Sequence, residues 1–106
     1  MMDKDLQLMR DLTETAGPPG FEMSVHNLMK EHITQLTSTV LEDNLGSIVG
    51  QHGNTGPNIL LAAHMDEVSF MVTHITKDGF LRMQPLGGWW GHVMLAQRVK
   101  VQERGT

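Results

Sequence analysis

The sequence predicts an α/β fold in which two helices precede a series of short strands. Two segments within the first 36 residues space their apolar side chains as an amphipathic helix does. Beyond Leu36 the apolar period shortens from about 3.6 towards about 2, which indicates strands. Turn-forming residues separate these strands, so hairpins are expected. The order of elements is therefore that of a domain that combines helices with a sheet.

The first predicted helix has apolar side chains at Leu6, Met9 and Leu12. Asp3 or Asp5 can cap its start, because a carboxylate accepts hydrogen bonds from the free N–H groups of the first turn. The Gly-Pro-Pro-Gly sequence at residues 17–20 ends it, since proline cannot continue a helix. A second helix is expected to follow this turn.

The second predicted helix has the clearest amphipathic pattern in the chain. Its apolar stripe consists of Val25, Leu28, Met29, His32, Ile33 and Leu36. His26 and Lys30 lie nearer the side that faces solvent. Because His32 belongs to the apolar stripe, we expect it to be a hydrogen-bonded core histidine.

Six strands are expected after the helices, at residues 39–42, 46–50, 59–63, 68–75, 79–83 and 97–102. Residues 59–63 are apolar on both faces, which is typical of a strand buried inside a sheet. Such a strand needs neighbouring strands and helices on both faces, and two helices supply little of this cover. We therefore expect either that the chain oligomerises or that it is the front end of something longer.

The composition excludes several classes of protein. Eight Lys and Arg residues against 12 Asp and Glu residues give the 106-residue chain a net charge of −4, which argues against a nucleic-acid partner. There is no Cys, so a metal must be held by His, Asp or Glu. The longest purely apolar run is far shorter than the roughly 20 residues that span a bilayer, and the amino terminus does not resemble a signal peptide. We therefore expect a cytoplasmic protein without a membrane partner.

The segment most informative about chemistry is Ala62-Ala63-His64-Met65-Asp66-Glu67, at the end of the predicted buried strand. Ligands of α/β sheets bind beyond the carboxyl ends of the strands. His64 could bind a divalent metal through one ring nitrogen, and Asp66 could accept a hydrogen bond from the other. The alternative is an ordinary polar strand end with a half-exposed His64.

Residues 59–71, Ile-Leu-Leu-Ala-Ala-His-Met-Asp-Glu-Val-Ser-Phe-Met, closely resemble the first metal-ligand motif of the glutamyl-aminopeptidase and deblocking-aminopeptidase family. These co-catalytic metallopeptidases form tetrahedral particles, and some were formerly labelled endoglucanases. Further segments similar to family motifs follow in the same order, at residues 12–22, 43–47, 78–82, 85–89 and 96–99. At Ser69 the family usually has glycine. The resemblance covers nearly the whole chain.

This resemblance implies a metal-dependent aminopeptidase, a hydrolase that removes residues from the amino termini of peptides. Matched position by position, His64 is a metal ligand and Asp66 is the catalytic-site acid that orients it. Two divalent ions, zinc or cobalt, bind a bridging water in such enzymes and lower its pKa, while a glutamate acts as base. The family also implies a homo-oligomer.

The resemblance further implies a domain organisation. Residues 1–76 correspond to the amino-terminal part of a mixed-sheet metallopeptidase catalytic domain, and residues 77–106 to the start of a β-rich inserted domain. The base and the other ligands lie on downstream segments in the family. We therefore expect this chain to be a fragment or truncated product that is inactive alone. The alternative is a non-catalytic oligomerisation or interaction module derived from the family.

Two further sites have competing interpretations. Glu67 could act as a general base beside a metal, but the family places its base elsewhere, which favours a structural role or support of the metal ligands. Trp89 and Trp90 could form a sugar-stacking platform, or they could pack beneath the bend that the neighbouring glycines permit. We favour packing. His74 and His92 are expected to be surface groups.

Overall fold

The computed structural model describes residues 3–103. Its elements are α1 (Lys4–Glu14), α2 (Met23–Leu36), β1 (Thr39–Glu42), β2 (Ile48–Gln51), β3 (Ser69–Ile75), β4 (Leu81–Leu86) and α3 (Gly91–Met94). The chain divides into two compact units, Met1–Glu67 and Val68–Thr106. The prediction of a mixed α/β fold is confirmed.

Both predicted helices are present. Asp3 is the N-cap of α1, and its carboxylate accepts a hydrogen bond from the Asp5 N–H at 3.2 Å. Of the two predicted caps, Asp3 is therefore the one used. Helix α2 begins after Glu22 without a side-chain cap and ends at Thr37, where the backbone becomes extended. None of the helices within residues 3–103 combines the length and the apolar character that a membrane span requires.

The β1–β2 hairpin packs against α2. Its strands are antiparallel, with Thr39 opposite Gln51 and Glu42 opposite Ile48. The turn between them places Gly46 at a φ of 94°, a conformation that glycine adopts without a steric cost. The hairpin predicted around residues 43–46 is therefore confirmed.

The β3–β4 hairpin forms the sheet of the second unit. Ser69 pairs with Leu86 and Ile75 with Leu81, and the ladder is irregular between Val72 and His74. The turn contains Gly79 at a φ of 85°. This is the hairpin that the sequence predicts, although β4 extends three residues beyond the expected end at residue 83.

Burial in the first unit is concentrated at two adjacent residues of α2. Val25 is 4% exposed and His26 is 8% exposed, and Val25 is the one buried hydrophobic residue within residues 3–103. The prediction that His26 lies nearer the solvent side of α2 is wrong. Strand β1 packs against that face of α2 and brings Glu42 to the imidazole. His32 is only half-buried, so the expected core position is also wrong.

Two of the expected strands are absent. Residues 59–63 lie outside any ladder, and Ile59, Leu60 and Leu61 are 82%, 81% and 91% exposed. Residues 97–102 are likewise without strand pairing and are exposed. The reason is the same in both cases, since a strand exists only where a second strand accepts its backbone hydrogen bonds, and the described part of the chain offers none there.

Candidate functional site

The two predicted site residues lie together on an exposed segment of the first unit. His64 Nδ1 is 2.9 Å from Asp66 Oδ1 and 3.0 Å from the Asp66 backbone oxygen. The His64 side chain is 85% exposed. The hydrogen bond expected between these residues is therefore present, whereas their roles as metal ligand and catalytic-site acid stay predictions.

The two contacts define the tautomer of His64. Both partners of Nδ1 are oxygens that can only accept, namely a carboxylate oxygen and a peptide carbonyl. Nδ1 must therefore carry the proton and donate it. In the neutral imidazole Nε2 then has a free lone pair, which is the form in which histidine binds a metal.

Glu67 contacts the turn between α1 and α2. Its carboxylate Oε1 accepts a hydrogen bond from the Gly17 N–H at 2.9 Å, and its own N–H donates to the Gly17 carbonyl at 2.9 Å. These two hydrogen bonds join the segment at Glu67 to the turn after α1. The structure thus supports the structural interpretation of Glu67 over that of a general base.

His64 and Asp66 line a groove of about 790 Å³. Residues of α2 and of the β1–β2 hairpin also line it, among them Lys30 and Glu42. Lys30 Nζ lies 2.6 Å from Glu42 Oε1, so that this pair is neutral in sum. Further carboxylates from Glu22, Asp43 and Asp66 line the same groove. The groove therefore has an excess of negative charge.

His26 lines the groove, although the helical period predicts a place for it nearer solvent. Its Nε2 lies 3.3 Å from Glu42 Oε2, yet the geometry is not that of a hydrogen bond, and neither ring nitrogen has a hydrogen-bond partner within the described residues. The His26 imidazole therefore lies near the Glu42 carboxylate without a hydrogen bond between them. No local signal could have revealed it, because Glu42 belongs to a different element from His26.

The turn beside this groove is held by Asp43. Its Oδ1 accepts hydrogen bonds from the backbone N–H groups of Ser47 at 2.9 Å and Leu45 at 2.8 Å. These bonds favour the charged carboxylate, those from Ser47 most strongly, and they lower the pKa of Asp43 below its ordinary value of 3.8. Asp43 therefore contributes a negative charge to the groove across the physiological pH range.

The donor set within residues 3–103 fits one ligand of a metal site rather than a complete site. No cluster of three or more His, Asp or Glu side chains suited to a metal occurs in this part of the chain. His64 offers one free nitrogen at the surface, and Asp66 orients it from the other side. A histidine that binds a metal commonly donates its other ring N–H to a carboxylate or a carbonyl, and the contact of His64 with Asp66 is compatible with that pattern.

The two tryptophans do not form a common platform. Trp89 stacks on Phe70 with ring centroids 4.6 Å apart, and its Nε1–H donates to the Ser69 carbonyl at 2.8 Å. The prediction that the tryptophan ring packs is therefore confirmed for Trp89. Trp90 is 74% exposed, with its ring edge-on to that of His92, so the prediction that the ring packs is wrong for Trp90.

Comparisons with known proteins agree with the resemblance carried by the sequence motifs. The model of the M42 glutamyl aminopeptidase family matches residues 46–106. The lysyl aminopeptidase of Pyrococcus furiosus is 33% identical over 97 residues, which are 91% of this chain and 28% of that protein. The glutamyl aminopeptidase of Lactococcus lactis is 40% identical over 93 residues, which are 85% of this chain and 26% of that protein.

A solved structure shares the fold as well as the sequence. The TET aminopeptidase from a marine sediment archaeon of the Thaumarchaeota superposes with a TM-score of 0.82 at 45% identity, over 90% of this chain and 27% of that one. The chain thus spans between a quarter and a third of the length of these relatives. On the family match and these similarities, the chain belongs to the M42 glutamyl aminopeptidase family.

Proposed function

We propose that this chain contributes to the active site of a metal-dependent aminopeptidase, with His64 as a metal ligand through Nε2. One observation carries the proposal. His64 Nδ1 donates to two acceptor oxygens of Asp66, which leaves Nε2 free on a side chain that is 85% exposed. Asp66 holds the ring orientation and the tautomer. Membership of a family of aminopeptidases supports this assignment.

Two divalent ions, zinc or cobalt, would supply a water of lowered pKa for attack on the peptide carbonyl when bound. In this proposal His64 and Asp66 provide one ligand and its orienting group, and a complete two-metal site would need further ligands and a base besides these two residues. The 106 residues alone are accordingly proposed to be inactive.

The proposed substrate is the amino terminus of a peptide. Support comes from the groove beside His64, whose excess of carboxylates suits a positively charged α-amino group. We further propose that residues 77–106 begin an inserted β-rich domain and that the enzyme is a cytoplasmic homo-oligomer. The TET aminopeptidase relative supports the oligomer through its name alone.

The experiment that tests the site is a Zn²⁺ titration of the 106-residue chain, followed through the ring signals of its six histidines by NMR. We expect His64 to respond at the lowest Zn²⁺ concentration. The His64→Ala variant should lose that response, and the control His52→Ala, which removes an exposed turn histidine, should keep it. If all histidines respond alike, the assignment of His64 is wrong.

Assays of peptide hydrolysis test the second part of the proposal. The 106-residue chain with Zn²⁺ or Co²⁺ should show no turnover of amino-terminal residues. A metal-dependent hydrolysis that disappears in His64→Ala would support the aminopeptidase assignment, but it would contradict inactivity of the isolated chain.

The alternative is a non-catalytic oligomerisation module, which the exposed apolar side chains at 59–61 favour. Sedimentation of the chain and of its Leu60→Lys variant separates the two functions. Self-association that the substitution abolishes, together with the absence of selective Zn²⁺ binding at His64, would favour the module. Selective binding would favour the enzyme.

A further inference from the structure

We propose that Gly17 and Glu67 form a positioning pair that orients His64 for metal binding. The proposal rests on the proposed function, since it assigns a task to residues that support the same site. Gly17 belongs to the turn after α1, and Glu67 follows the His64-Met65-Asp66 segment. The two residues are 50 positions apart.

The pair is joined by two hydrogen bonds of equal length. The Gly17 N–H donates to Glu67 Oε1 at 2.9 Å, and the Glu67 N–H donates to the Gly17 carbonyl at 2.9 Å. One bond involves the side chain and the other the backbone of Glu67. Together they restrain both the position and the rotation of the backbone at Glu67.

This restraint reaches His64 through a single peptide group. The peptide bond between Asp66 and Glu67 donates its N–H to Gly17, and its carbonyl accepts from His64 Nδ1 at 3.0 Å. In a trans peptide the N–H and the carbonyl point in opposite directions. The hydrogen bond from the Glu67 N–H to Gly17 therefore turns the Asp66 carbonyl towards His64. That carbonyl accepts the Nδ1 proton, and so it favours the tautomer in which Nδ1 is protonated.

The space around Gly17 leaves little room for a side chain. A Cβ there would lie 2.8 Å from Val25 Cγ1 and 3.1 Å from the Met65 carbonyl oxygen. Val25 is buried on α2, so it has little room to move. The added carbon would also press on the Met65 carbonyl, which lies in the backbone between His64 and Asp66.

The test uses the 106-residue chain with the variants Gly17→Ala, Glu67→Ala and Glu67→Gln. The controls are Gly88→Ala, where an added Cβ meets nothing within 4 Å, and Glu31→Gln on the exposed surface of α2. Two properties are measured, the His64 tautomer from its ring ¹⁵N shifts at one fixed pH and the Zn²⁺ dissociation constant at His64. Helix content by circular dichroism reports whether each variant is folded.

We expect Gly17→Ala and Glu67→Ala to weaken Zn²⁺ binding at His64 by about tenfold, as loss of a group that orients a ligand does. The fraction of His64 with its proton on Nδ1 should fall in parallel. Glu67→Gln retains an acceptor oxygen and should show the smaller effect. Both controls should match the parent chain in both measurements.

Unchanged tautomer and unchanged Zn²⁺ affinity in folded Glu67→Ala would overturn the proposal, because the pair would then be merely structural. If Gly17→Ala does not fold, the two Glu67 variants carry the same test. A parent chain that binds no Zn²⁺ at His64 would contradict the proposed function instead. In that case the tautomer of His64 in the same variants still determines whether the pair positions the ring.

Discussion

Gly50 is expected to be a position where one added methyl group disturbs the packing of β2 against α2. It lies in β2, and a Cβ there would come within 2.5 Å of Ile33 Cγ2 and 3.2 Å of Thr37 Cγ2. Overpacking of this kind costs about 1–3 kcal/mol, while replacing glycine by alanine recovers about 0.4–1 kcal/mol from the unfolded chain. We expect Gly50→Ala to lower the free energy of unfolding of the first unit by about 1 kcal/mol.

Urea denaturation can measure this change in the first unit separately. The long helices α1 and α2 belong to that unit, so ellipticity at 222 nm reports on it, whereas both tryptophans belong to the second unit and their fluorescence reports on that one. With a slope of about 1 kcal/mol per molar urea, the ellipticity midpoint should fall by about 1 M. The fluorescence midpoint should stay unchanged.

A matched control and a double mutant test the steric reason. Gly88→Ala places its methyl group in open space and should be neutral or slightly stabilising. Ile33→Ala removes the atom that the new Cβ would meet, so Gly50→Ala should cost less in that background than in the parent. The steric explanation is wrong if Gly50→Ala lowers the free energy of unfolding equally with and without Ile33→Ala. It is also wrong if the Gly50→Ala chain is as stable as the parent.

Two further predictions concern hydrogen bonds that the structure shows directly. Because the folded pKa of Asp43 is lowered, its contribution to stability is present above the unfolded pKa and is lost as the pH falls through the folded value. Acid titration by NMR should give a pKa below 3.8 for Asp43 in the folded chain, and a value at or above 3.8 would contradict this. Trp89→Phe removes the bond to the Ser69 carbonyl and should destabilise the second unit by about 1 kcal/mol. Trp90→Phe replaces an exposed ring and should change the urea midpoint of the second unit little. Equal shifts for Trp89→Phe and Trp90→Phe would contradict a stabilising role of the Trp89 hydrogen bond.

The elements that the sequence predicted correctly are those whose cause is local. Helix α1 follows from the capping Asp3 and an apolar stripe, and the β3–β4 hairpin follows from two apolar segments around a glycine turn. In each case the residues that determine the element lie within a few positions of one another. The hydrogen bond between His64 and Asp66 belongs to this group, since its partners are two positions apart along the chain.

The wrong predictions concern residues whose surroundings come from distant segments. The helical period placed His26 on the solvent side, but β1 covers that side and buries the ring. Leu60 has the composition of a buried strand and is exposed, because periodicity records what a segment can pack against and not whether a partner is there. The same limit explains why the pair of Gly17 and Glu67 has no signature in the sequence.

The sequence by itself determined the order of helices and hairpins, the resemblance to a metallopeptidase family and the residue types at the candidate site. Those properties depend on side-chain chemistry and on contacts between near neighbours. Only the tertiary structure decided which nitrogen of His64 is free, that Glu67 is engaged by Gly17 and that a groove with excess negative charge lies beside them. Each of these depends on directed contacts, and the direction of a hydrogen bond is defined only once the backbone is folded.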